Sequence, residues 1–194
     1  MAHTAHTAHV AHTVPTDPFC RRTYGHPCYS PSELRTAYGV AALTSAGDTG
    51  AGQTIVIVDS FGSPDIRSDL QRFDAAHGLP PPPSFTVDAP LGTVPFDGSS
   101  LPMIVWAEET SLDVEWAHAM APGAGLVLLT SPVAETGGTT GLPQFLQLEQ
   151  YADAGGWYMA AGRLILSEPS ASPTVRAISA LFEYERALHC YRES

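Results

Sequence analysis

Two uninterrupted apolar runs, TIVIV at 54–58 and GLVLLTS at 125–131, limit this chain more than anything else in it. Neither alternates polar with apolar residues, so each must be covered on both faces, as the strands of a parallel sheet are. Parallel strands need crossovers, and the sequence between the runs supplies them. Ser63 and Pro64 predict the start of a helix that carries Ile66, Leu70 and Phe73 on one face. Pro80 to Pro83 then form a stiff extended connection into SFTVDA, a short strand. Gly92 to Pro102 read as a loop, EETSLDVEWAHAMAPGA at 108–124 as a helix ended by Pro122 and Gly123, and LPQFLQLEQYADA as a helix with Phe145, Leu148 and Ala152 in register. GRLILSEP predicts a fourth strand. Strands alternating with helices predict an α/β fold, a doubly wound and mainly parallel sheet flanked by helices.

The 194 residues suffice for one domain with a real core. Its organisation divides at the start. Residues 1–28 open on MAHTAHTAHVAHT, where His3, His6, His9 and His12 recur at every third position. Imidazole is a common metal ligand, but that spacing drifts around a helix and no Cys or carboxylate completes a shell, so a disordered segment is expected and no metal site. Order is expected from residue 29, where Ser30, Pro31 and Glu33 of YSPSELRTAYG have the pattern of a helix start. Cys20 and Cys28 are spaced to close a small loop in an oxidising compartment, or to stay reduced elsewhere, and Cys190 is left over.

A net charge of −11 with only nine cations, all arginine, argues against nucleic acid as a partner. No apolar run reaches the roughly 18 residues that a membrane span needs, and no basic, apolar-cored secretory signal is visible at the N-terminus.

Within the helix over 108–120, Glu109 and Asp113 stand four residues apart on one face. Like charges at that spacing repel by roughly 0.2–0.5 kcal/mol even when exposed. Glu115 lies about 200° from Asp113 on the helical wheel and cannot join them. Two readings are open for the pair. One is a solvated first turn; the other is a coupled acid pair that holds one proton between two carboxyls and acts as a base in acid. Asp59, at the carboxyl end of the first strand, is expected to line a cleft or to play a structural part. His118 lies about 140° from Asp113, which favours a core or surface role.

ETSLDVEWAHAMAPGA at 109–124 resembles the Glu-x-x-x-Asp helix of the sedolisins, the serine carboxyl peptidases of kumamolisin-like and tripeptidyl-peptidase-like type. The likeness includes the Leu-Asp-Val-Glu core and the Ala-Pro-Gly-Ala exit. YSPSELRTAYG and GQTIVIVDSFGSPDIRSDL resemble the opening, first strand and first helix of that catalytic domain, so the similarity spans about residues 29–155. The resemblance implies a subtilisin-like fold, protein or peptide substrates, an extracellular setting, and a serine activated by Glu109 as general base with Asp113 orienting it.

The family's nucleophile sits in Gly-Thr-Ser, and here Gly138-Thr139 is followed by Thr140. Ser170 and Ser172 lack that context, so no nucleophile is assigned. Nor does the chain show the family's later oxyanion-hole aspartate or its C-terminal calcium-binding aspartates, so no cofactor is expected in it. Residues 155–194 depart from the family, as a frameshifted or divergent tail. The domain is therefore expected to be incomplete and inactive alone. The alternatives are a non-catalytic remnant or binding module on the same scaffold, or a degenerate subtilase.

Overall fold

A computed structural model describes residues 15–135 and 142–154. The histidine repeats, Gly138–Thr140, GRLILSEP, Ser170, Ser172 and Cys190 lie outside these residues. The chain divides after Ser30 into two compact units.

Of residues 1–28, expected to be disordered, the described stretch 15–28 holds a helix and a disulfide. Helix α1 spans Asp17–Tyr24, with Pro18 in its first turn, where a missing N–H costs nothing, and Gly25 closing it at φ 79°. Arg21 pairs with Asp17 one turn earlier at 2.8 Å. Cys20 and Cys28 are bonded, with their Cα atoms 5.6 Å apart. The disulfide closes the chain back onto the helix, so local capping and a covalent loop order a segment too short for a core.

The second unit opens with α2 (Pro31–Ala37) and α3 (Val40–Ser45), separated by Gly39 at φ 74°. Then follow β1 (Thr54–Ser60), α4 (Ile66–His77), β2 (Phe85–Asp88), α5 (Leu101–Met120), β3 (Gly125–Ser131) and α6 (Leu142–Ala154). The three strands are parallel in the order β1-β3-β2, with Thr54 opposite Gly125, Asp59 opposite Thr130, and Phe85 opposite Leu126.

Successive strand residues face opposite sides of the sheet, and each side has its own helices. Ile55, Ile57, Leu126 and Leu128 pack with Ile66 and Leu70 of α4 and with Val114, Ala117 and Met120 of α5. Val56, Val127 and Leu129 pack on the other side with Leu148 and Ala152 of α6. Each fully buried aliphatic side chain here contributes roughly 1.5–3 kcal/mol. β3, central and covered on both sides, is buried throughout, which is why its sequence is apolar without alternation. The fold is thus a doubly wound α/β sheet flanked by helices.

Two boundaries differ from the sequence expectation. Helix α4 starts at Ile66 and not at Ser63–Pro64, because Phe61 and Gly62 both take left-handed backbone (φ 60° and 74°) and reverse the chain first. Helix α5 starts at Leu101, so residues 101 and 102, expected in the loop, and the stretch 103–107 that precedes the expected helix all belong to it. Pro102 falls in its first turn, where it is tolerated. After Met120, Pro122 and Gly123 turn the chain into β3, and Gly123 passes so close to Thr49 that a Cβ would lie 2.4 Å from its Oγ1.

Candidate functional site

The 20-residue α5 lies across the sheet face that carries Ile55, Ile57 and Asp59. Val114, Ala117 and Met120 hold it there, Val114 directly following Asp113. Glu109 and Asp113 follow one another along the helix one turn apart and are both half-buried.

Asp59 completes this group. It ends the apolar run of β1 with only 2% of its surface exposed, turned toward α5. Burial raises its pKa from 3.8 to about 7. A hydrogen bond from Thr110 opposes that rise, the nearby Glu109 charge adds to it, a hydrogen bond with Asp113 lowers it, and Glu135 adds a smaller repulsion. Thr110 contributes weakly. Neither its Oγ1 nor Asp59 Oδ2 has a well-formed partner, so that bond is stretched or misaligned.

Two carboxyl groups can hydrogen-bond only if one carries a proton, and enclosure favours the protonated form of Asp59 beside Asp113. Asp59, expected to line a cleft or serve structurally, lies enclosed beneath α5. The signal that could have found this was the strand itself. A carboxylate that ends a doubly covered strand has no solvent to face and must meet the helix above it.

Glu115 takes no part in this group. It faces α4, where burial first, then the charges of Asp69 and Asp74, raise its pKa to about 7 against the counteracting Arg72. Arg72 is itself paired with Asp69. His118 is fully buried at the same seam. Its Nε2 lies 2.8 Å from the Pro80 carbonyl and 3.4 Å from Asp74 Oδ1. The shorter contact takes the N–H, leaving Asp74 Oδ1 without a well-formed bond. Burial pushes the Asp74 carboxyl up, and His118 pulls it partly back. His118 therefore ties α5 to α4 and to the proline-rich connection.

At the carboxyl ends of the strands a cleft of about 550 Å3 opens, lined in part by Phe61, Gly62, Val87, Val94, Phe96 and Thr130. Among the described residues, no group of three or more His, Cys, Asp or Glu has an arrangement that could hold a metal ion. Among the same residues, no helix is long and apolar enough to cross a membrane.

The fold and this site define a doubly wound α/β domain with a partly buried cluster of acids where the first strand meets a long helix. No protein-family model matches the chain. No curated protein matches it. Among solved structures, it is similar to Pseudomonas sedolisin, a serine-carboxyl proteinase, complexed with two molecules of pseudo-iodotyrostatin. The two are 25% identical, with a TM-score of 0.44, over 66% of this chain and 38% of that one. The chain thus spans well under half of that protein's length.

Proposed function

We propose that the chain carries the general-base half of a serine-type endopeptidase site of the sedolisin kind, acting on proteins or peptides in an acidic, extracellular setting. The observation that supports this reading is the grouping of Glu109 and Asp113 on one side of α5 with Asp59 of β1 beneath them. The Glu-x-x-x-Asp motif with its Ala-Pro-Gly-Ala exit agrees with it.

On this reading Glu109 takes the proton from a serine Oγ as that oxygen attacks the scissile carbonyl, then delivers it to the leaving amine. Asp113 orients Glu109, and Asp59 supports Asp113 from beneath. A carboxylate base works at a pH where histidine would already be protonated. The serine has to come from a Gly-Thr-Ser context that this sequence does not contain, and without it the chain hydrolyses nothing. The absence of Gly-Thr-Ser from this sequence favours a second reading, a peptide-binding scaffold without catalysis.

The test is cleavage of a denatured protein by the chain alone and by the chain joined, after about residue 155, to a segment carrying Gly-Thr-Ser. The fusion should be active at about pH 3–5, and Glu109→Gln should lower its turnover at least about a thousandfold while folding is kept. Activity in the chain alone, or full activity in the Gln variant, would overturn the mechanism. A folded but inert fusion would leave the binding scaffold as the reading.

A further inference from the structure

A serine or threonine inside a helix commonly bonds its hydroxyl back to the carbonyl one turn earlier, which satisfies it where water cannot reach. This chain follows that habit. Thr36, Thr44, Ser45 and Ser111 each donate to the carbonyl four residues before them, at 2.8–3.2 Å, and Ser68 to the one three before it at 2.9 Å. Thr110, in the middle of α5, departs from it. Its side chain is wholly buried, yet its Oγ1 has no well-formed partner among the described residues.

The packing of α5 on β1 places this hydroxyl. Thr110, Val114 and Ala117 recur at helical spacing, and all three are buried. Val114 and Ala117 pack with Ile55 and Ile57 of β1, and Asp59 is the next residue of that strand on the same side of the sheet. As the crossover between parallel β2 and β3, α5 runs back against the strands. The step back from Val114 to Thr110 is about 6 Å, and the step on from Ile57 to Asp59 about 6.6 Å. The two steps match, so the turn of α5 that precedes Val114 comes over Asp59. There the Thr110 hydroxyl meets the Asp59 carboxyl, whose Oδ2 is likewise buried without a well-formed partner.

A hydroxyl suits a carboxyl that changes charge. It donates to a carboxylate and accepts from a carboxylic acid, so one side chain serves both forms. The ionisable groups that act on Asp59 are Glu109 and Asp113 of α5 and Glu135 beyond β3, all of them acids. A buried carboxylate among acids is costly unless a donor turns to it. Thr110 carries such a donor, not spent on its own helix.

We propose that Thr110 is a positioning residue of the acid group: its hydroxyl, withheld from the helix backbone, closes on Oδ2 of Asp59 when that carboxyl loses its proton to solvent, and keeps the ionised carboxyl beneath Asp113. The contact rests on burial, on the matched spacing of α5 and β1, and on the two unbonded oxygens. Its part in catalysis, keeping Asp113 and through it Glu109 in place whichever charge Asp59 carries, rests on the peptidase reading.

The test is a pH titration of the Asp59 carboxyl carbon by 13C NMR in the full chain, for the parent, Thr110→Val and Thr110→Ser. Val keeps the shape and removes the hydroxyl, so the Asp59 midpoint should rise by about one pH unit. Ser keeps the hydroxyl and should recover more than half of that rise. A Thr110 that only fills space would leave the midpoint where it is. In the parent, the Thr110 hydroxyl proton should be slow to exchange at pH 8, a measurement that needs no variant to fold. An unchanged or lower midpoint in Thr110→Val, equal midpoints in the two variants, or a freely exchanging hydroxyl proton at pH 8 would overturn the proposal. None of these readouts is turnover, so their failure leaves the mechanism of Glu109 and Asp113 standing, and an inert fusion leaves the Thr110 contact standing.

Discussion

The carboxyl of Asp59, near the end of β1, faces that of Asp113, in the middle of α5, across an interface where Val114 and Ile57 pack. The two residues are far apart in sequence and meet because both elements bury the residues beside them. Enclosure favours the uncharged acid at Asp59.

Asp59 has a folded pKa raised from 3.8 to about 7, so the folded state binds the extra proton. Its contribution to stability is complete below about pH 4 and is lost as pH rises through about 7. Asp59→Asn mimics the protonated acid and should match the parent at pH 4.5 but exceed it at pH 8, by a gap on the order of 2–4 kcal/mol. Urea unfolding at both pH values measures this. A variant that loses as much stability as the parent between them would place the proton elsewhere.

Glu115 behaves in the same direction for a different reason. Its pKa, raised to about 7 by burial against Asp69 and Asp74, means that ionisation above neutrality strains the α4–α5 seam. The side chain is only half-buried, so solvent screening reduces the effect to about 1 kcal/mol. Glu115→Gln should raise the urea midpoint at pH 8 and leave it unchanged at pH 4. Equal effects at the two pH values would mean that packing, not charge, sets the outcome.

His118 is a structural tie whose loss should be costly. Its removal in His118→Ala leaves a hole in a fully buried position and frees the Pro80 carbonyl, a cost of roughly 2–4 kcal/mol. The unfolding midpoint at pH 7 checks the cost. Hydrogen exchange should show faster opening in α4 and in the 78–84 connection, and an unchanged exchange pattern there would remove the tie.

The amino-acid sequence by itself determined the layers of this molecule. The continuous runs of β1 and β3 specify strands covered on both faces, and the 3.6-residue recurrence of Ile66 with Leu70, and of Leu148 with Ala152, specifies the helices that cover them. Those are local patterns of burial, and burial is what such periodicities record. The helical spacing likewise put Glu109 and Asp113 on one side of α5 and Glu115 on another.

Tertiary structure alone decided the rest. Whether α1 would be ordered depended on the Cys20–Cys28 bond, since pairing is a matter of proximity and redox state and not of spacing. The starts of α4 and α5 were set by the Phe61–Gly62 turn and by Pro102 in a first helical turn, where competing local signals allow more than one boundary. The partners of Asp59 and of His118 were invisible because they come from other elements. A side chain's neighbours across a sheet or between two helices follow from register and packing, and one strand read alone contains neither.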